Sequence, residues 1–212
     1  AECADLVLRT ADPAMKAALS HAAYAKFVAS DGTMRVGVAS PPNRPARPDR
    51  PELVHPKDVP SPKTCPLGMS AAMIHNVAHI ELNAIDLAWD TVARFSALAA
   101  DRGGDRGDGN LINLPVDFFA DFARVADDES RHLGWCLQRL GEMGVRYGDI
   151  SAHNVLWEGA ESTSDSITAR LAVVPCMQEA RGLDAGPRLA AKLQGRGDNR
   201  SAAVVSRISE EE

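Results

Sequence analysis

Four long stretches of this 212-residue chain repeat apolar residues with the period of an α-helix, and each places one glutamate on its apolar stripe. The stretches cover about residues 68–99, 115–143, 165–183 and 198–212. The four glutamates are Glu81, Glu129, Glu179 and Glu212. Burying several carboxylates together is costly unless protons or cations accompany them. The pattern therefore predicts an all-α fold in which four helices meet around a shared source of positive charge.

The second stretch also carries a histidine three residues after its glutamate, so Glu129 and His132 share one helix face. A known four-helix bundle site holds two metal ions with one Glu from each of two helices and Glu-x-x-His from each of the other two. The chain order here is Glu, Glu-x-x-His, Glu, Glu, which lacks only the last histidine. Carboxylates with imidazole suit iron or manganese better than zinc. We therefore predict two iron ions as the cofactor, with manganese as the alternative metal.

Three further residues are candidates for positions around the ligands. Asp128 directly precedes Glu129, and Glu211 directly precedes Glu212, so each could orient a histidine from the facing helix. His79 lies about 200° around the helix from Glu81, which favours a structural histidine bonded to a backbone carbonyl. Simpler interpretations remain open: Asp128 and Glu211 could form a solvated acidic edge, and any one glutamate could be a surface residue out of phase with its stripe.

A second histidine shares the face of His79. His75 lies four residues earlier, and the resulting H-x-x-x-H pair indicates a zinc site only when a third ligand is present. The sequence offers no third ligand that we could identify. We therefore predict no zinc site at this pair.

Proline divides the chain into three parts. Nine of the thirteen prolines lie in residues 41–66, which excludes both a helix and a central strand there. We interpret this segment as an extended strap over the helices, with a disordered linker as the alternative. Its apolar anchors would be Leu53, Val54 and Val59. The predicted organisation is an N-terminal helical segment (1–40), the strap (41–66) and a C-terminally truncated four-helix bundle (67–212).

Local signals refine two of these helices. Asp12 as N-cap and Pro13 at the first helical position predict a helix over residues 12–29. In the third long stretch Asp165 is the expected cap and Pro175 a kink, and the sequence "GLDAGP" (182–187) is expected to interrupt the helix.

Composition excludes some functions. The formal net charge of −6 and the pI near 5.5 disfavour nucleic acid as the main partner. No apolar run approaches the roughly 18 to 20 residues that span a bilayer. The four cysteines form no C-x-x-C pair, and Cys136 and Cys176 lie on interior stripes. We therefore expect reduced thiols in a reducing intracellular compartment, either the cytoplasm or an organelle.

Several stretches together resemble a known family. "AHIELNAIDLAWD", "FFADFARVADDESRHLGWCLQRLGEMGVRYGD", "EARGLDAGP" and the strap sequence "RPARPDRPEL" are similar to the ferritin-like family numbered 455 among the domains of unknown function. The resemblance implies a ferritin-like four-helix bundle with a di-iron centre, and it implies no reaction. By the family's pattern a histidine follows three residues after Glu212. We therefore expect these 212 residues to be a fragment of a longer polypeptide that supplies this histidine.

Two functional hypotheses follow. The first is a di-iron, or iron and manganese, oxidoreductase that activates dioxygen or peroxide, such as an oxygenase, hydroxylase or peroxidase, on an unknown small-molecule or macromolecular substrate. The alternative is a non-catalytic helical scaffold subunit of a larger assembly with an incomplete metal site. In that case the strap and the glycine-rich loop 101–110 would dock protein partners. Iron storage would need a cage-forming oligomer, for which the sequence gives no argument.

Overall fold

The structure is a computed structural model that describes residues 1–99, 113–175 and 180–212, with side chains from residue 185 onward in the last range. These ranges contain eight α-helices, a short 3-10 helix (Ser96–Leu98) and no strand. The α-helices are α1 (Glu2–Leu8), α2 (Pro13–Ala29), α3 (Met69–Arg94), α4 (Val116–Glu142), α5 (Val155–Glu161), α6 (Ile167–Val173), α7 (Ala180–Gln194) and α8 (Asn199–Glu211). The predicted all-α class is confirmed for these ranges. The loop 101–110, Cys176 and Glu179 lie outside them.

The chain forms two compact units. One comprises Ala1–Arg47 and Ala84–Ser130, and the other comprises Pro48–Asn83 and Arg131–Glu212. Helices α3 and α4 each continue from one unit into the other. None of the helices in the described ranges is long and apolar enough to cross a membrane.

The first unit contains the predicted N-terminal helix. Its N-cap is Asp12, whose Oδ1 accepts a hydrogen bond from the Met15 amide at 2.7 Å, and Pro13 occupies the first helical position. Helix α1, which no periodic signal predicted, packs against α2. Helix α2 together with its N-cap covers residues 12–29, as the sequence predicted.

A buried ion pair fixes the first part of the strap in this unit. The side chains of Lys16 and Asp86 are both fully buried, and they form a short ion pair. Arg47 binds the other oxygen of Asp86 at 2.9 Å, and the Lys16 ammonium also donates to the Ala46 carbonyl at 3.3 Å. Burial lowers the pKa of Lys16, and the negative charge of Asp86 opposes that shift. These contacts hold the strap residues 46 and 47, because a buried charge is stable only with its partner in place.

The second part of the strap is held mainly by its backbone. The Val54 amide donates to the Ala152 carbonyl at 2.8 Å, and the Ala152 amide donates to the backbone carbonyl of Glu52 at 3.0 Å. The Leu53 side chain is 47% exposed, so the expectation that it is an apolar anchor was wrong. Buried residues of this part include Pro51 and Cys65, and Cys65 packs in an apolar cluster with Ala72 and Ile150. Two backbone hydrogen bonds therefore connect this part of the strap to the segment around Ala152.

The predicted apolar stripe of α3 is buried along its whole length. Its members are Ile74, Ala78, Glu81, Ile85, Ala88 and Val92, each at most 4% exposed. Helix α8 likewise buries Ser201, Val205 and Ile208. The helical period therefore identified the inward faces of both helices correctly.

The third long stretch differs from its prediction. Helix α6 is capped by Ser166, not Asp165, since the Ser166 hydroxyl accepts from the Ala169 amide at 3.3 Å. Helix α7 runs without a break from Ala180 to Gln194, through Pro187. The expected interruption at residues 182–187 was wrong. Helix α7 packs closely against α8, and this packing offsets the poor helix propensity of glycine and proline.

Gly148 joins the strap to α3 in the second unit. Its φ is +101°, and its amide donates to Nε2 of His75 at 2.9 Å. A Cβ atom at this position would lie 2.8 Å from Cβ of Arg50 in the strap. Glycine is therefore required here both by the backbone angle and by the close approach of the strap.

We predict that Gly148→Ala lowers the free energy of unfolding by roughly 2–4 kcal/mol, because backbone strain adds to the contact with Arg50. Gly68→Ala is the matched control, since Gly68 has φ +91° and no neighbour within 4 Å of an added Cβ. In the control the free energy of unfolding should fall by only about 1–2 kcal/mol, from backbone strain alone. Urea unfolding measures both, and equal losses would contradict the close approach.

Candidate metal centre

Helices α3 and α4 place a glutamate and a histidine opposite each other. Glu81 is 2% exposed and His132 is 1% exposed. Nδ1 of His132 lies 3.6 Å from a carboxylate oxygen of Glu81. Glu129, 6% exposed, precedes His132 by three residues on the uninterrupted helix α4, and it therefore lies on the same face.

Glu212 completes a group of four side chains. Glu81, Glu129, His132 and Glu212 each offer one ligand atom, and these atoms all lie within 4.8 Å of one another. The first three residues are buried, whereas Glu212, which caps the end of α8, is exposed. Four of the five predicted ligands thus lie together, and the fifth, Glu179, is outside the described residues.

The donor set fits a hard divalent cation. It consists of three carboxylate oxygens and one imidazole nitrogen, and three carboxylates so close together repel one another without a cation or a proton. One thiol on the same helix, that of Cys136, is fully buried. Burial, and then the negative charge of Glu81, raise the pKa of this thiol well above its ordinary value. Cys136 is not among the four residues of the group, so the donor set is oxygen-rich, of the kind that iron and manganese accept.

Glu211 contacts the other nitrogen of His132. One of its oxygens lies 3.3 Å from Nε2 of His132. Its hydrogen bond from Arg131, followed by those from Arg207 and His132, lowers the pKa of Glu211 to about 2. An ionised carboxylate can only accept, so the hydrogen between the two groups belongs to Nε2. Nδ1, which faces Glu81, is then the nitrogen available to a metal. Asp128, the other predicted outer carboxylate, is half-buried on α4.

His79 is engaged in contacts away from these residues. Its Nδ1 lies 2.8 Å from the hydroxyl of Tyr147, and its Nε2 lies 2.9 Å from the carbonyl oxygen of His153. A carbonyl oxygen only accepts, so Nε2 carries the proton and donates it. The histidine therefore links α3 to the segment that precedes α5.

His75, on the same side of α3, has a different partner. It is 1% exposed, it stacks on Tyr147, and its Nε2 accepts the Gly148 amide. Burial lowers its pKa to about 4, and the negative charge of Asp149 opposes that shift only in part. His75 is therefore neutral at neutral pH, and it has a structural role.

We predict that His75 makes the protein less stable in acid. The unfolded chain binds a proton near pH 6.5, whereas the folded chain does not until about pH 4. The contribution of neutral His75 to the free energy of unfolding is therefore complete above pH 6.5. It is lost as the pH falls towards 4, with a slope of about 1.4 kcal/mol per pH unit. His75→Gln should flatten this slope in urea titrations, and the exposed His55→Gln should leave it unchanged. A slope retained in His75→Gln would contradict this assignment.

A close contact between α7 and α8 positions the helix that carries Glu212. An added Cβ on Gly186 would lie 2.0 Å from Oγ of Ser209, and this hydroxyl donates to the Val205 carbonyl at 3.0 Å. Ser209 precedes Glu212 by three residues. Gly186, the second glycine of the "GLDAGP" sequence, therefore allows α8 to approach α7.

We predict that Gly186→Ala destabilises the protein by about 1–3 kcal/mol, since Ser209 must move and lose its hydrogen bond. Gly134→Ala on α4 meets no neighbour within 4 Å, and it should gain up to about 1 kcal/mol from helix propensity. Adding Ser209→Ala should recover part of the loss. Thermal unfolding of the wild type and these three variants tests this, and no recovery in the double variant would argue against the contact.

Sequence reasoning missed several residues around this site. Arg131 and Arg207 bind Glu211, and Trp135 lies against both guanidinium groups. Tyr147 and His153 bind His79. The available signals were weak: Arg207 and Glu211 stand four residues apart on one helix, as do Arg131 and Trp135. Tyr147 and His153 lie in an irregular segment where no periodicity applies.

In its described residues the chain thus has helices and no strand, and it contains a group of glutamate and histidine residues that could hold a metal ion. It belongs to the family described as "Protein of unknown function (DUF455)", whose model matches residues 9–212. An "Uncharacterized protein" of Haemophilus influenzae is 35% identical over 212 residues, which cover 98% of this chain and 70% of that protein. No solved structure matches the chain.

Proposed function

We propose that the chain is a ferritin-like four-helix bundle protein that binds two iron ions, or iron and manganese, and acts as an oxidoreductase on dioxygen or peroxide. The observation that supports this most is the group of four ligand atoms within 4.8 Å of one another, three of them on buried side chains. A structural salt bridge would need only two such groups. The three carboxylates of the group carry more negative charge than the single histidine could balance even if it were protonated.

The proposed ligands are Glu81, Glu129, His132, Glu179 and Glu212. These residues would hold two irons, which would supply the redox chemistry for reducing dioxygen or peroxide. Glu179 is assigned from the sequence pattern alone.

The chain's own residues prepare this site. Helices α3 and α4 hold Glu81, Glu129 and His132 on rigid backbone, and burial excludes water from the imidazole. Glu211 holds the proton of His132 on Nε2 and leaves Nδ1 able to donate its electron pair. These contacts would hold the side chains of the site in place before a metal binds, so less ordering would be needed on binding.

One observation favours the alternative, a non-catalytic scaffold with an incomplete metal site. Glu212 is exposed, so the fourth member of the group is less protected than the other three. Such a chain would hold at most a structural ion and would show no oxygen-dependent spectrum. Protein partners would then bind its surface, including the strap.

We predict that Glu129→Gln removes most of the bound iron without unfolding the protein. Losing one of several neighbouring carboxylates weakens the ligand set but relieves repulsion, so the metal-free variant should melt no lower than the wild type. Iron content after anaerobic Fe²⁺ loading and desalting, together with absorption spectra under air and after reduction, measures the effect.

The control is Glu142→Gln, the same substitution on the same helix. Glu142 pairs with Arg139 and Arg200 outside the metal group, so this variant should keep its iron. Wild-type protein that retains less than one iron per chain would overturn the proposed function. Iron that survives air with an unchanged spectrum would favour the scaffold.

A further inference from the structure

Two arginines from different helices converge on Glu211. Nη2 of Arg131, on α4, lies 2.8 Å from Oε2 of Glu211. Nε of Arg207, on α8, lies 3.3 Å from Oε1 of the same carboxylate. Each oxygen of Glu211 thus has its own guanidinium, which fixes the plane of the carboxylate.

An aromatic ring supports both arginines. The guanidinium carbon of Arg207 lies 4.6 Å from the ring centre of Trp135, and that of Arg131 lies 5.9 Å from it. Both distances are within the range of cation–π attraction. Trp135 is on α4, one turn after Arg131, so a single side chain restrains the cations of two helices.

The restrained carboxylate reaches the proposed metal ligand directly. The oxygen of Glu211 that binds Arg131 is also the oxygen 3.3 Å from Nε2 of His132. The opposite side of the same ring presents Nδ1 to Glu81 at 3.6 Å. Any rotation of the imidazole that keeps one of these contacts shifts the other.

We propose that Arg131, Trp135 and Arg207 form a clamp that holds Glu211 on His132, and that this clamp thereby sets the orientation of the His132 ring and the metal affinity of the site. The clamp residues are positioning residues, since none of them offers an atom to the metal. The inference about affinity rests on the proposed function. The inference about ring orientation does not.

Stability alone does not account for this arrangement. The Arg131 and Arg207 side chains are 37% and 66% exposed, and exposed ion pairs add little to stability. Outer groups that hold a metal-binding histidine, however, typically change metal affinity by 10- to 100-fold when they are removed. The clamp should therefore affect metal binding far more than folding.

The test uses the double variant Arg131→Gln, Arg207→Gln, with Trp135→Leu as a second, independent variant. The first readout is Co²⁺ affinity, measured by chelator competition with the absorption of bound Co²⁺. The second is the exchange rate of the His132 Nε2 proton with water in metal-free protein, measured by NMR. Thermal melts of metal-free protein verify that each variant is folded.

The matched control is Arg200→Gln. Arg200 also lies on α8, pairs with Glu142 of α4 at 2.6 Å, and lines the same surface groove as Trp135 and Arg207. It is not among the groups that hold Glu211. The control removes one positive charge and one contact between the helices, but it leaves the clamp intact.

The expected result is a loss of Co²⁺ affinity of about tenfold or more in both clamp variants, with faster Nε2 exchange, while Arg200→Gln stays within about twofold of the wild type. If wild-type protein binds Co²⁺ and the clamp variants bind it equally well, the clamp inference is wrong and the proposed function stands. If wild-type protein binds neither Co²⁺ nor Fe²⁺, the proposed function falls. The exchange rate then decides on the clamp alone, and an unchanged rate overturns it.

Discussion

The burial of ionisable side chains along α3 is the constraint on which much of this structure depends. Glu81, Asp86 and Asp90 are all at most 2% exposed, and each needs a charged or hydrogen-bonding partner. Asp86 is paired by Lys16 and by Arg47 of the strap, and Asp90 by Arg94. The buried carboxylate of Asp86 thus holds both helix α2 and the irregular strap in place.

The histidines of the same helix extend this principle to the second unit. His75 accepts a hydrogen bond from the Gly148 amide, and His79 donates one to the carbonyl of His153. Helix α3 thus satisfies backbone groups of an irregular segment. Glu81 differs because its neighbours are other carboxylates and His132. Paired charges stabilise a fold, whereas a surplus of one sign in a buried place is typical of a binding site.

The sequence predicted the elements whose signal is periodic. Helices α2, α3, α4 and α8 were expected from their apolar stripes and caps, and Glu81, Glu129 and His132 from their phase on those stripes. Helices α1 and α5 have seven residues each, too few to show a period. Helix α7 crosses "GLDAGP" because Gly186 packs against Ser209, a tertiary contact that local propensity does not encode. The same holds for the clamp residues, whose exposed charges look like ordinary surface positions.

The two sides of the candidate site differ in how they are held. Glu81, Glu129 and His132 are fixed by long helices and by burial, while Glu212 depends on where α8 lies against its neighbours. Two of the contacts that hold the end of α8 are the glycine contact at Ser209 and the hold of Arg131 on Glu211. A cation that binds Glu212 together with His132 would add a further link between α8 and α4. Metal binding and the docking of α8 should therefore stabilise each other, because each restricts the same helix.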